Sequence, residues 1–192
     1  KEQLDFEREI EKLKKRFEGV RDLDKLPEAV FVLSIKGQMT VIREAQKKNI
    51  AWQLECAGNL PAILADESLI YRAVGNLIIN AVQALPDEGG RILVRAMNVE
   101  PERDSSLPLK PGKYVRISIS DNGRGIQREH IRKVFDPYFT TKEKGSGLGL
   151  ATSYSIIKKH EGHITVWSKV GVGTTFYFFL PASPPRLRKV RP

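Results

Sequence analysis

The chain has 192 residues and a formal net charge of +9, with 41% hydrophobic and 29% charged residues. This composition is typical of a folded protein with one domain and an appendage, and it excludes collagen-like, disordered and membrane-spanning chains. The one cysteine, Cys56, excludes an internal disulfide and a cysteine-based zinc site, and it fits a reducing, cytoplasmic setting.

The first 37 residues are predicted to form an amphipathic helix followed by a linker. Apolar residues recur at spacings of four and three, with charges of both signs between them, which indicates a heptad seam: Phe6, Ile10, Leu13, Phe17 and Val20. A seam this short packs either on its own domain or on a partner helix. Pro27 and Gly37 interrupt the helical pattern, so the linker is placed between Arg21 and Gly37.

Residues 38–181 alternate between strand and helix periodicities and are predicted to form one domain. The strand-like runs are Ile50–Cys56, Arg91–Met97, Lys113–Asp121, His163–Ser168 and Thr174–Leu180. The helix-like runs are Asp66–Leu85, a shorter run near Gln127–Val134, and Gly147–His160, with Gly162 as its C-cap. This order predicts an α/β two-layer sandwich. Residues 182–192 follow as a basic, proline-bearing tail without acidic residues.

The helix Asp66–Leu85 carries a narrow polar stripe on an otherwise apolar surface. The stripe consists of Arg72, Asn76, Asn80 and Gln83. Asn76 and Asn80 lie one turn apart on one face. Asparagine lowers helix propensity and needs partners for its amide, so a polar ligand or a metal ion would explain the pair. Capping of nearby backbone groups or contact with water is the alternative explanation.

The strand Lys113–Asp121 ends with a carboxylate aimed toward the apolar side. Asp121 is in phase with the alternating residues Val115, Ile117 and Ile119. A buried carboxylate needs hydrogen-bond donors, and the glycine-rich sequence that follows allows a ligand to approach the backbone closely. An ordinary Asp-Asn-Gly turn is the alternative.

A glycine-rich segment, Gly145-Ser-Gly-Leu-Gly149, opens the helix that runs to His160. It combines free backbone N–H groups with a positive helix end, which suits phosphate, although a flexible connection has the same composition. The preceding segment from Val134 to Lys142 contains aromatic residues that could anchor a loop. Lys142 could either reach a phosphate or remain a solvated surface charge.

Four segments in this order resemble the motifs of the ATP-binding domain of sensor histidine kinases, in the superfamily shared with DNA gyrase, Hsp90 and MutL. Asn76-Leu-Ile-Ile-Asn80 is similar to the N box, and Asp121-Asn-Gly-Arg-Gly125 is similar to the first glycine box. Phe135-Asp-Pro-Tyr-Phe139 is similar to the F box, and Gly145–Gly149 is similar to the second glycine box. The resemblance implies a Bergerat-type fold, with a mixed five-stranded sheet and about three helices.

The resemblance also implies ATP and Mg²⁺ as cofactors. Asp121 would hydrogen-bond the adenine amino group, and Asn80 would hold Mg²⁺. Asn76 would lie near the phosphates, and it is a candidate catalytic residue together with Lys142. The other nucleotide-binding candidates belong to the glycine boxes and to a mobile lid from Phe135 to Gly149: Gly123, Gly125, Ile126, Phe135, Thr141, Gly145, Ser146, Gly147, Leu148 and Gly149.

The sequence departs from the family pattern at two places. Gln83 stands where many of these kinases carry a basic residue, so Lys142 becomes the better candidate for a phosphate contact. No histidine precedes His130, so the chain lacks the family's phosphoacceptor histidine in its usual place. His160 ends a helix, where its charge would be favoured by the helix dipole.

The implied function is transfer of the ATP γ-phosphate to a histidine on a dimerisation domain, in the same polypeptide or in trans. Residues 1–37 would contain the end of that domain's helical hairpin, and the full-length protein would be a homodimer. A response regulator receiver domain would take the phosphate next, while neither nucleic acid nor membrane contact is expected from this cytoplasmic segment. The alternatives are an ATP-hydrolysing clamp of the gyrase or Hsp90 type and a degenerate nucleotide-binding adaptor.

Overall fold

A computed structural model of the chain describes residues 49–101, 107–142 and 145–182. The predicted heptad seam, the whole predicted linker between Arg21 and Gly37, and the basic tail after Ala182 lie outside the described residues. No helix within the described ranges is both long and apolar enough to cross a membrane.

Five strands and two helices make up the described fold. The strands are β1 (Ile50–Cys56), β2 (Gly90–Val99), β3 (Tyr114–Asp121), β4 (His163–Lys169) and β5 (Gly173–Pro181), and the helices are α1 (Glu67–Ala84) and α2 (Gly149–Lys159). The sheet order is β1-β2-β3-β5-β4, with β1 and β2 parallel and all other pairs antiparallel. The predicted mixed five-stranded α/β sheet is confirmed.

The core lies between the sheet and the two helices. Alternate residues of the three central strands are buried against α1 and α2: Ile92, Val94, Ala96, Val115, Ile117, Ile119, Phe176, Phe178 and Leu180. Strand β3 is central, which places its last residue, Asp121, under the helical layer. The opposite face of the sheet has no second helical layer among the described residues, and Trp167 and Met97 are exposed there.

Helix α1 begins and ends at residues whose chemistry explains the boundaries. The Asp66 side chain accepts a hydrogen bond from the Leu69 amide at 3.1 Å and caps the first turn. Leu85 has an extended backbone because Pro86 follows it, and the helix therefore stops at Ala84. The predicted helix Asp66–Leu85 matches α1 together with its two capping residues.

The third predicted helix, near Gln127–Val134, is instead a run of tight turns. The amide of His130 donates to the Gln127 carbonyl at 2.9 Å, and the amide of Lys133 donates to the His130 carbonyl at 2.8 Å. These bonds join residues three apart, so each turn closes locally and no regular helix propagates.

The end of α2 also differs in detail from the prediction. The cap is His160, and Glu161 follows with a left-handed backbone, φ 55°. The Gly162 amide donates to the Ile157 carbonyl at 2.9 Å and the Glu161 amide donates to the Lys158 carbonyl at 3.0 Å, which is the Schellman pattern. Glu161 therefore occupies the position where glycine is usual, and Gly162 is one residue beyond it.

Glu161→Gly is expected to stabilise the fold. Glycine adopts the left-handed conformation without the Cβ clash, and the net gain after its greater entropy loss is about 0.5–1 kcal/mol in the free energy of unfolding. Denaturant titration of the full chain measures this gain. Glu161→Ala is the control, because it also removes the exposed 3.5 Å contact with Lys110 but keeps the strain. Equal stability of the two variants would contradict the prediction.

Candidate functional site

The polar stripe of α1 forms one wall of the site. The Asn80 Nδ2 atom donates to the Asn76 carbonyl at 2.9 Å, which orients the Asn80 side chain along its own helix. Because Nδ2 is committed to the helix, Oδ1 is left free to accept from outside it. Asn76 and Asn80 are both half-buried, while Gln83, one turn after Asn80, is exposed.

Lys142 brings a cation from the lid to this stripe. Its Nζ atom donates to Asn80 Oδ1 at 2.8 Å and to Gln83 Oε1 at 2.5 Å. Burial lowers the pKa of Lys142, and the nearby positive charge of Arg124 lowers it further. The structure therefore brings two of the predicted site residues, Asn80 and Lys142, into direct contact and adds Gln83 as a third member.

The first residue of α2 is held against the same stripe. The Asn76 Nδ2 atom donates to the Gly149 carbonyl at 3.1 Å. The hydroxyl of Ser153, which is fully buried, lies 3.0 Å from that carbonyl oxygen and 3.2 Å from the carbonyl oxygen of Ala73. Asn76 therefore fixes the point where the second glycine box enters α2, and its predicted contact with phosphates stays a prediction.

Asp121 lies at the end of β3 and is buried, with 8% of its surface exposed. Its carboxylate accepts a hydrogen bond from the Gly123 amide at 2.9 Å and another from the backbone amide of Thr174 on β5. Burial raises the pKa of the Asp121 carboxyl above its ordinary value, and the two amide hydrogen bonds only partly oppose that shift. The predicted inward direction of this carboxylate is confirmed.

The first glycine box connects α1 to the β4–β5 turn. The Arg124 amide donates to the Ala84 carbonyl at 3.1 Å, and the Gly171 amide donates to the Arg124 carbonyl at 2.9 Å. Gly125 has φ +74°, and a Cβ there would lie 2.3 Å from the carbonyl oxygen of Lys169. Packing alone therefore accounts for glycine at 125, and contacts of Gly123, Gly125 and Ile126 with a nucleotide stay predictions.

The lid begins at an aromatic anchor. The Phe135 ring packs against Tyr154 of α2 and Phe176 of β5, with centroid distances of 5.6 and 6.2 Å. Further along, the Tyr138 amide donates to the Gly147 carbonyl at 3.1 Å. Gly147 has φ +68°, and a Cβ there would meet the Tyr138 backbone at 2.3 Å. The two branches of the lid are therefore in contact near its base.

The remaining lid candidates lie at the surface or are partly covered. Thr141, Ser146 and Leu148 are exposed, and Gly145 is half-buried. The Gly145 amide donates to the Lys142 carbonyl at 3.1 Å. The Leu148 amide donates to the Ser146 hydroxyl at 3.4 Å, and the Leu148 carbonyl accepts from the Thr152 amide at 2.9 Å. Part of this segment therefore has a structural role at the start of α2, and the nucleotide contacts of these four positions stay predictions.

All three histidines of the chain lie in the described residues, and His160 has a defined structural role. The Asp66 amide donates to His160 Nε2 at 2.9 Å, so the other ring nitrogen, Nδ1, carries the proton that is shared with the Ile156 carbonyl at 2.8 Å. His160 therefore joins the end of α2 to the start of α1 through its two ring nitrogens. The predicted position at the helix end is confirmed.

The other two histidines pack against aromatic rings. His130 makes an edge contact with Phe139, with ring centroids 5.4 Å apart, and His163 packs near Phe179. Burial and the nearby Lys158 lower the pKa of His163.

Two site residues were absent from the sequence prediction. Thr174 is buried and supplies an amide to Asp121, and Ser168 accepts from the Ile126 amide at 2.8 Å. A signal for Thr174 was available, because it is in phase with the inward-facing Phe176 and Phe178. A polar residue in an apolar register is unusual enough to mark a site.

Comparison with protein families gives one match over most of the chain. The family model described as histidine kinase-, DNA gyrase B- and HSP90-like ATPase matches residues 65–184. A ribosomal protein S2 model matches residues 1–52, which is well under half of the chain and mostly outside the described residues.

Similar proteins include two kinases and one solved structure. Sensor kinase CckA of Brucella abortus is 40% identical over 139 residues, which are 70% of this chain and 15% of CckA. Sporulation kinase E of Bacillus subtilis is 33% identical over 138 residues, 72% of this chain and 17% of that kinase. The structure of full-length ShkA in complex with AMPPNP is 28% identical, with a TM-score of 0.64, and the match covers 83% of this chain and 32% of ShkA. The chain thus spans less than a fifth of the length of these two kinases.

Asp121→Asn is expected to be more stable than the wild type, and this difference in the free energy of unfolding should grow as the pH rises. Because folding raises the pKa of Asp121, the ionised side chain costs stability above that pKa, and no such cost exists below about pH 4, where the carboxyl is protonated in both states. The variant and the wild type should therefore be similar in stability at low pH. The variant should become the more stable protein as the pH rises through the raised pKa.

Urea titrations between pH 3.5 and 8 measure this difference. Asp136→Asn is the control, because Asp136 is exposed. A stability difference for Asp121→Asn that does not vary with pH would contradict the assigned cost of burial.

Proposed function

Because the chain belongs to the histidine kinase-, DNA gyrase B- and HSP90-like ATPase family, we propose that residues 38–181 form the ATP-binding catalytic domain of a sensor histidine kinase. The domain binds Mg-ATP and presents the γ-phosphate to a histidine of a dimerisation domain. The observation that carries the proposal is a cation already held by Asn80 Oδ1, on the same helix whose last turn supports the loop of the buried Asp121.

Asp121 supports recognition of adenine. A carboxylate that is buried and fixed by two backbone amides presents its remaining lone pairs in one direction. The adenine amino group is a donor that matches this acceptor. Burial strengthens such a hydrogen bond, because little water competes for the carboxylate.

The hydrogen bond that Asn80 accepts from Lys142 supports the proposal that Asn80 binds Mg²⁺. Its Oδ1 atom accepts from an ammonium at 2.8 Å, so the oxygen is exposed to a positive charge and oriented toward it. Mg²⁺ prefers oxygen ligands and is usually held by few protein groups together with water and substrate phosphates. When bound, the metal would neutralise the charge of the transferring phosphate.

Lys142 and Asn76 serve the phosphate end of the site. Lys142 contacts Asn80 directly, and a short displacement would bring its Nζ atom onto a phosphate bound beside that residue. Asn76 holds the Gly149 carbonyl and so positions the N-terminus of α2, whose free amides favour negative charge. Gly145, Ser146, Gly147 and Leu148 then form the part of the lid that covers the phosphates.

A hydrolytic clamp of the gyrase type receives less support. In the relatives that hydrolyse ATP, the resemblance assigns a water-activating glutamate four residues before the metal-binding asparagine, and this chain has Asn76 there. An amide side chain has no basic site that could accept a proton from water, and the Asn76 Nδ2 atom is also committed to Gly149. Phosphotransfer to a protein histidine requires positioning rather than such a base.

The partners follow from the same proposal. A histidine-containing dimerisation domain, in the same polypeptide or in trans, would accept the phosphate, and a response regulator receiver domain would take it further. His160 is committed at both ring nitrogens, which supports an acceptor outside this domain. The full-length protein would be a homodimer, with this domain in the cytoplasm.

Asn80→Ala is expected to weaken binding of Mg-ATP by about tenfold or more, the scale found when groups around a metal are removed. Binding of ATP in EDTA should fall less, because Asn80 acts through the metal. Calorimetry with and without Mg²⁺ gives both affinities. Asn98→Ala is the matched control, because that side chain contacts Asn59 at the opposite end of β2 from the Asp121 loop. Equal losses with and without Mg²⁺ would argue against Asn80 as a metal ligand.

The chain alone is expected to acquire no acid-labile, base-stable phosphate from labelled ATP. A histidine-containing hairpin domain, fused upstream or added in trans, should restore labelling, because proximity to an acceptor is what the domain lacks. A hairpin with its histidine replaced by glutamine is the control. Strong labelling of His160 in the chain alone would overturn the proposal, and nucleotide binding without transfer to any hairpin would favour the adaptor.

A further inference from the structure

The contact between Lys142 and α1 joins a charged donor to two neutral acceptors, and this pairing needs an explanation of its own. A lysine from the lid donates to two neutral amide oxygens, Asn80 Oδ1 and Gln83 Oε1, that lie on adjacent positions of one helix face. Neither oxygen belongs to a carboxylate, so the contact is a pair of charge-to-amide hydrogen bonds. Such a contact holds the ammonium without neutralising it.

The full positive charge of Lys142 therefore stays available to a ligand. Among the described residues, Arg124 is a second cation whose charge acts on Lys142, and it lies in the first glycine box. These two cations and the two neutral amide oxygens give the described part of this corner a net positive charge. A carboxylate at position 83 would have removed part of that charge, and a lysine or arginine there would have repelled Lys142.

Asn80 and Gln83 cannot both keep their hydrogen bonds to Lys142 once Mg-ATP binds. This inference rests on the proposed function, in which Asn80 Oδ1 is the oxygen that takes Mg²⁺. One amide oxygen cannot accept an ammonium and bind Mg²⁺ closely, because the two cations would repel each other at that distance. Lys142 must then leave Asn80, while the Gln83 oxygen is not required by the metal.

We propose that Gln83 is a positioning residue, which holds the lid lysine Lys142 beside the phosphate end of the site while Mg²⁺ replaces the lysine at Asn80. In the structure, Asn80 and Gln83 together bind Lys142, and its ammonium contacts the oxygen that Mg²⁺ would take. On binding of Mg-ATP, Gln83 keeps the lysine within reach of the phosphates. The lid lysine thus supplies a charge that α1 itself does not carry at position 83.

Hydrogen exchange in the nucleotide-free chain tests the contact itself. Gln83→Met keeps the side-chain length and removes the oxygen, so amides of residues 138–142 and 145–148 should exchange faster by about threefold to tenfold. Gln83→Glu should slow the same amides, because it replaces an amide with a carboxylate opposite Lys142. Gln53→Met on β1 is the control and should leave the lid amides unchanged. Lid amides that do not respond to either Gln83 variant would overturn the proposal.

A double-mutant cycle tests the role of Gln83 toward the ligand. Gln83→Met should weaken Mg-ATP binding by about threefold to tenfold in the wild-type background and should have little effect in a Lys142→Met background, because Gln83 acts through the lysine. Equal effects in both backgrounds would show that Gln83 acts on the ligand or on the fold directly, and would overturn the positioning role.

The two measurements separate the possible failures. Absence of Mg-ATP binding by the wild-type chain would defeat the proposed function, since the cycle would have no signal. The exchange measurement uses no nucleotide, so it would still show whether Gln83 holds the lid lysine. Normal Mg-ATP binding together with an additive cycle would defeat the positioning role and leave the proposed function standing.

Discussion

Helix α1 contributes residues to both the hydrophobic core and the site, and most of the structure depends on how its surface is divided between the two. The helical repeat places Asn76 and Asn80 in one line while the apolar residues between them face the sheet. The loop of Asp121, the lid lysine and the first residue of α2 all bind this helix at or near that line. A change in the packing of α1 would therefore move every part of the site at once.

Periodicity in the sequence predicted the regular elements well, because burial enforces it. Five strands were expected and five are present in the described part of the chain, and β1 has the predicted bounds Ile50–Cys56. The inward direction of Asp121 followed from its phase with Ile117 and Ile119, since side chains of a strand alternate between the two faces. Asp66 and Leu85 were predicted as the limits of a helix and are its two caps.

Features that depend on distant parts of the chain could not be read from local patterns. The segment 127–134 has helical composition, but it forms separate turns that are closed by hydrogen bonds between residues three apart. Local sequence also could not show that Lys142 reaches across more than fifty residues of chain to Asn80 and Gln83. The residue types indicated a cation and an amide acceptor, and the fold alone decided that they would meet.

The bonds of α2 have a mechanical consequence for the lid. Gly149 is bound to Asn76 at one end of the helix, and His160 is bound to Asp66 at the other. Phe135, the first residue of the lid, packs against Phe176 of the core. With α2 bonded to α1 near both of its ends, the predicted lid is a strap with two attachment points, so any travel would depend on its slack rather than on rotation of a helix. Doubling the length of such a strap costs only about 0.6 kcal/mol in closure entropy, so reach over the site can change independently of the stability of the fold.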